Sequence, residues 1–300
     1  VPRSAAPEPT GQSDRFRHFV AIDWSGAKGQ RQKGIAIALC GAGSDAPQLV
    51  RPGHRWSRAE VLHWLRRDLP DDALVGLDLS AGLPHADAEA FFPGWDRSPD
   101  TAHDLWRLVD DLSVGDDHLA VGGFLAEPEV WRHFRHGQGR CGDLFVPGAG
   151  RMRLTEHRAR LLRLAPTSCF NLVGAAQVGK SSLTGMRVLH RLGGAIPVWP
   201  FDPQPHSGSV LVEIYTSLAA RAGGIRPGRA KMLDGAALDA ALAALGVAAH
   251  RALSHYTDHV TDALLSAAWL RLVADRADLW QPDGLTAQIA RTEGWTFGVP

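Results

Sequence analysis

Five residues of this chain have types and spacings suited to chemistry: Asp23, Asp78, Glu213, His259 and Asp262. Asp23 ends the apolar run Phe19-Val20-Ala21-Ile22, and Asp78 ends a second run, Ala73 to Leu77. If these runs are parallel neighbours in a sheet, both carboxylates leave it at the same edge. Asp258, His259 and Asp262 fall within about one helical turn, so the i/i+3 and i/i+4 pairs share a face. Glu213 interrupts an apolar strand, where an unpaired charge is costly, so it is either paired with an arginine or part of the site. Carboxylate oxygens suit Mg²⁺ and Mn²⁺, and a pair of such ions can clamp the attacking and leaving oxygens of phosphoryl transfer. The expected chemistry is metal-dependent phosphodiester hydrolysis. Asp23, Asp78 and Asp262 would be the metal ligands, and His259 or Glu213 would complete the shell or orient water. Arg153 would neutralise the scissile phosphate. Structural alternatives stand beside these roles: Asp23 and Asp78 as strand-end turn caps, His259 as a solvated helix residue, and Asp258 as surface.

A second pattern competes for attention. Gly174-Ala175-Ala176-Gln177-Val178-Gly179-Lys180-Ser181 satisfies the phosphate-loop string G-x-x-x-x-G-K-[ST]. A nucleotide-binding fold needs several parallel strands around such a loop, and only two strand candidates remain downstream. Gly185 also falls where a long, tightly packed helix is wanted. The segment is therefore expected to be a glycine-rich loop beside the acidic site, with Gly174, Gln177, Gly179 and Lys180 as substrate-binding candidates. An NTP-binding enzyme is the alternative it leaves open.

The elements that must position these residues read as a mixed α/β plan. Strands are expected at 19–23, 34–39 and 48–51, with short links that suggest an antiparallel meander. Ser57-Arg58-Ala59-Glu60 has capping-box spacing, and Val61, Leu62, Leu65 and Leu69 follow at helical intervals until Pro70. The run 73–78 lacks alternation, as a central strand covered on both faces would. Further strands are expected at 170–173 and 210–214, and helices at 235–252 and 257–277. Val260, Ala263, Leu264 and Ala267 would dock the last helix on the sheet.

The 300 residues are 45% apolar and 21% charged, as in a globular protein, so disordered and fibrous classes drop out. Net charge is zero, so any basic nucleic-acid groove must be local; Arg and His cluster at 132–140 and 151–163. Three cysteines without CxxC spacing argue against a disulfide framework and suit the cytoplasm. No apolar run is long enough for a membrane span. Residues 1–18 are read as a flexible tail, and 19–300 as one domain with an insertion at about 80–166.

Several segments together resemble a known family. They are Ala21-Ile22-Asp23-Trp24-Ser25-Gly26, Gly76-Leu77-Asp78 with Gly82-Leu83-Pro84, and Arg153-Leu154-Thr155-Glu156. They continue through Leu172 to Gly179, Val212-Glu213-Ile214-Tyr215, Asp262-Ala263-Leu264 and Glu293-Gly294-Trp295. In this order the chain is similar to the predicted nucleases of the DUF429 type, a bacterial branch of the ribonuclease-H-like superfamily. It departs from them after Asp78, where Leu79-Ser80-Ala81 replaces an aromatic and a proline common in relatives. The resemblance implies a ribonuclease-H-like sheet, antiparallel in front and then parallel, flanked by helices. It also implies a nuclease-type site with Mg²⁺ or Mn²⁺ and a nucleic-acid partner. A catalytically silent member binding nucleic acid or protein is the remaining alternative.

Overall fold

The computed structural model describes residues 15–174, 178–226, 232 and 234–300. Its strands are His18–Asp23 (β1), Ala36–Gly41 (β2), Gln48–Leu49 (β3), Ala73–Asp78 (β4), Val198–Trp199 (β5) and Val210–Glu213 (β6). The first helices are Arg58–Arg67 (α1), Ala102–Leu112 (α2), Gly122–Ala126 (α3), Pro128–Trp131 (α4) and Leu154–Leu161 (α5). They are followed by Val178–Leu192 (α6), Thr216–Ala222 (α7), Gly235–Ala244 (α8), Asp258–Val273 (α9), Ala277–Trp280 (α10) and Ala287–Arg291 (α11).

The strands form one mixed sheet in the order β3-β2-β1-β4-β6-β5. β1, β2 and β3 make the expected antiparallel meander, while β4, β6 and β5 run parallel to β1. Alternation along the strands divides the core in two. Val20, Ile22, Ile37, Val75, Leu77 and Leu211 face one apolar cluster, with α1, α2 and α6. Phe19, Ala21, Ala38, Leu74, Val210 and Val212 face the other, with α7, α8 and α9.

Local signals explain the elements that were foreseen. Ser57 caps α1, and the reciprocal bond from the Ser57 N–H to the Glu60 carboxylate is made at 2.7 Å. α9 starts at the Thr257 cap and buries Ala263, Leu264 and Ala267 on the sheet, while Val260 is only partly covered.

Other expectations are corrected. Residues 170–173 are not a sheet strand; only an isolated bridge joins Asn171 to Arg135. The Phe170 ring belongs to an aromatic cluster with Phe92 and Phe134, which accounts for the apolar run. The helix expected at 235–252 stops at Ala244, and that at 257–277 stops at Val273. Of the expected tail, residues 1–14 lie outside the described residues. Phe16, grouped with them, is buried and stacks on Trp280. The 80–166 segment supplies α2 to α5, and α2 packs on α6 in the first core cluster. No helix among the described residues is long and apolar enough to cross a membrane.

Candidate active site

Asp23 and Asp78 are register partners at the ends of adjacent parallel strands. Parity along each strand sends both side chains to the α9 side: Asp23 follows the phase of Phe19 and Ala21, and Asp78 that of Leu74. α9 packs against β1, β2 and β4, so its first turns overlie that edge. Asp258, His259 and Asp262 border a cavity of ≈ 860 Å³ together with Asp23 and Asp78. Asp258, expected at the surface, is therefore a wall of this cavity. His259 Nδ1 lies 3.0 Å from Asp23 Oδ1. A carboxylate can only accept, so Nδ1 carries the proton of this bond.

The electrostatics of Asp78 are strongly perturbed. One edge of the residue is open to the cavity, yet protein atoms surround the group and desolvate it. Burial and then the Asp23 charge push its carboxyl well above the usual range; Asp262 and Glu213 add to this. The Thr216 N–H, 3.3 Å from Oδ1, opposes the shift.

The sign of the pH dependence follows. A carboxyl raised on folding leaves stability fully present below the free value of 3.8, and lost as pH climbs through the folded value. Asp78→Asn should accordingly raise the metal-free unfolding midpoint at about pH 8, with the gap closing towards about pH 4. Thermal melts across that range check this; an Asn variant less stable at the upper end contradicts it.

Glu213 lines the same cavity as Asp23 and Asp78. It pairs in register with Leu77 and takes the phase of Leu211, the strand phase opposite that of Asp23 and Asp78. There it is 3% exposed and fully bonded. Arg153 reaches it with Nη1 at 2.8 Å and Nη2 at 2.6 Å, and the Ala81 N–H and Thr296 hydroxyl donate at 2.8 and 2.6 Å. Pairing with an arginine is thus the arrangement found. Arg153, expected at the scissile phosphate, is 1% exposed, and its remaining bonds go to the Glu156 carboxylate and the Glu293 carbonyl. Glu293 in turn accepts from the His85, Ala86 and Leu154 N–H groups. This buried ion network ties β6, α5, the 80–86 loop and the C-terminal segment together, and its Arg153, Glu156 and Glu213 form part of the cavity wall.

Among the described residues, the cations bordering the cavity are the buried Arg153 and, from the β1–β2 loop, Lys28, Arg31 and Lys33. Arg31 pairs with Glu60, whereas Lys28 and Lys33 are exposed. The same loop is held from beneath by buried Arg58, which donates to the Ser25, Ala27 and His118 carbonyls at 2.6–3.1 Å. Burial, with the nearby Arg187 charge, lowers its pKa to about 10. Sequence reasoning passed over Lys28 and Lys33 because a loop lysine is ordinarily solvated. Their only signal was a place just after Asp23.

The phosphate-loop string falls beside this cavity without the fold it needs. Gly174 has a positive φ of 94°, Gln177 lies outside the described residues, and Gly179 and Lys180 belong to the first turn of α6. No sheet strand leads into it, because 170–173 is irregular. The objection from Gly185 is overturned: α6 is a well-packed helix, and a Cβ at Gly185 would meet Leu79 Cδ2 at 2.2 Å. Gly26 likewise permits the Asp23 loop to lie on α6, since a Cβ there would sit 2.4 Å from the Ser181 N. The Ser181 hydroxyl accepts from the Gly26 N–H at 3.2 Å, a bond that engages it within the protein. Lys180→Ala should leave ATP and GTP binding as undetectable by calorimetry as in the parent. Micromolar binding abolished by the substitution contradicts this reading.

Among the described residues, no three His, Cys, Asp or Glu side chains form a closed metal-ligating group. The donors nevertheless fit a hard divalent cation: Asp23, Asp78, Asp258 and Asp262 present oxygen ligands to one cavity.

Fold and site together define an α/β protein with an acid-lined cavity at the carboxyl edge of its parallel strands. A comparison with protein-family models, curated proteins and solved structures finds no match to this chain.

Proposed function

We propose that this protein is a metal-dependent phosphodiesterase of the nuclease type. The observation that carries the reading is the in-register pairing of Asp23 with Asp78 beneath the α9 acids. It joins residues far apart in sequence at one point of a water-accessible cavity, where burial and then the Asp23 charge raise the Asp78 carboxyl. The strand order, antiparallel then parallel, is also the one implied by the resemblance to the ribonuclease-H-like superfamily.

Asp23, Asp78 and Asp262 would hold Mg²⁺ or Mn²⁺, which when bound supplies Lewis-acid polarisation and charge neutralisation at the phosphate. His259, fixed by Asp23 through Nδ1, offers Nε2 to take a proton from water. Lys28 and Lys33, which line the cavity as Arg153 does, would share the charge-neutralising role at the phosphate. Glu213 and Arg153 pair in the cavity wall and support the strand ends.

The test is turnover of bis(4-nitrophenyl) phosphate and of labelled RNA and DNA with Mn²⁺, Mg²⁺ or chelator. Cleavage that requires the metal and stops with chelator is expected. Unchanged substrates after prolonged incubation with Mn²⁺ would contradict the proposal.

A further inference from the structure

A second cavity of ≈ 760 Å³ adjoins the first, and the two share Gln32, Lys33 and His259 as common walls. It runs between the β2–β3 side of the sheet, the 50–56 loop and the 250–257 segment. Its charge is one-sided. Lys33, Arg51, Arg55 and Arg251 line it together with several histidines, and no Asp or Glu does. In a chain of zero net charge, this is a local concentration of cations beside a concentration of acids.

Three of these cations are uncommitted. Lys33, Arg55 and Arg251 are exposed and have no carboxylate partner among the described residues, whereas Arg51 pairs with Asp68 at 3.2 Å and lies over Trp56. The wall carrying Arg251 is pinned. His250 Nδ1 meets Asp239 Oδ1 at 2.6 Å and its Nε2 meets the Tyr256 hydroxyl at 2.8 Å, while the Leu253 N–H donates to the same hydroxyl. The basic groove is thus a built feature of the fold. It also lies away from both places where the sequence concentrates Arg and His. There, Arg132 is neutralised by Glu129 and Asp143, Arg151 by Asp87, and Arg153 by Glu156 and Glu213, while Arg135, Arg140, Arg158, Arg160 and Arg163 have no carboxylate partner among the described residues.

We infer that this groove holds the phosphate backbone of a polynucleotide strand whose scissile diester lies in the acid cavity. The inference rests on the phosphodiesterase reading for the position of the diester. Phosphates flanking that diester must pass out of the cavity, and the opening shared through Lys33 and His259 leads them past Arg55 and Arg251. A mononucleotide has no flanking phosphates to place there. Trp56, the one Trp, Tyr or Phe among the groove's lining residues, is 1% exposed, so no broad ring is offered for base stacking. Binding is therefore electrostatic and tolerant of sequence.

The experiment measures fluorescence anisotropy of a labelled single-stranded oligonucleotide of about 16 nucleotides with the full chain in chelator, across a salt series. Arg55→Glu combined with Arg251→Glu should weaken binding at least tenfold. The log K against log salt slope should become shallower by about 0.7 for each phosphate no longer neutralised. The Lys pair, Arg55→Lys with Arg251→Lys, should retain most of the affinity. Arg107→Glu, on α2 and remote from the groove, controls for net charge and should change little. The inference is overturned if the reversed pair binds within twofold of the parent, if the Lys pair loses as much, or if the Arg107 control does. Because binding is read without metal, failure of the two ideas separates. Groove-dependent binding without metal-dependent cleavage refutes only the phosphodiesterase reading. Cleavage of the small diester with groove-independent oligonucleotide affinity refutes only the groove.

Discussion

Asp23→Asn is expected to cut metal-dependent diester turnover by two orders of magnitude or more, a loss of about 2.7 kcal/mol or greater in transition-state stabilisation. Asp262→Asn should behave alike. The substitution keeps the shape of the side chain and its place against β4, so packing is preserved, but a neutral amide is a poor ligand for a hard cation. It also removes one of the charges that crowd Asp78. The metal-free unfolding midpoint should therefore stay level or rise while activity collapses. Activity retained in both variants would show that these acids are not the catalytic centre, and a collapse of stability would show that they act as turn caps.

The opposite pattern is expected at Arg153→Met. Glu213 and Glu156 are 3% and 4% exposed and share Arg153 as their counter-charge. Removing one member of a buried ion group leaves an uncompensated charge and costs about 3–5 kcal/mol. For a chain of this size the midpoint should fall by roughly 10 °C. Adding Glu213→Gln to the Met variant should recover part of the loss, because the stranded charge is then gone. An Arg153→Met protein with an unchanged midpoint and a raised KM would instead restore the role at the scissile phosphate that the sequence suggested.

These two results separate what was legible in the sequence from what was not. The strand-end acids and the capping box at Ser57 could be read because their signals are local: an apolar run with a polar stop, and a fixed spacing. The direction of Glu213 could not, since its face depends on register with Leu77 across two strands. Several segments of the resemblance, around Arg153, Glu213 and Glu293, form one buried network whose Arg153 and Glu213 line the cavity. β5 has two residues, Val198 and Trp199, between prolines, too few to show a period. The basic groove was misplaced for a related reason. Arg132, Arg151 and Arg153 of the linear clusters are paired with carboxylates, while Arg55 and Arg251 line one groove because α9 docks beside β2. Cys40, Cys141 and Cys169 are all free, in line with the spacing argument against disulfides.

The central claim is that Asp23, Asp78 and Asp262 share a metal, and a crystal of the protein soaked in Mn²⁺ tests it most directly through anomalous scattering. A peak within roughly 2–2.6 Å of oxygens from all three carboxylates is the predicted result. Anomalous density elsewhere on the protein, or none in this cavity at Mn²⁺ concentrations that support turnover, would contradict it.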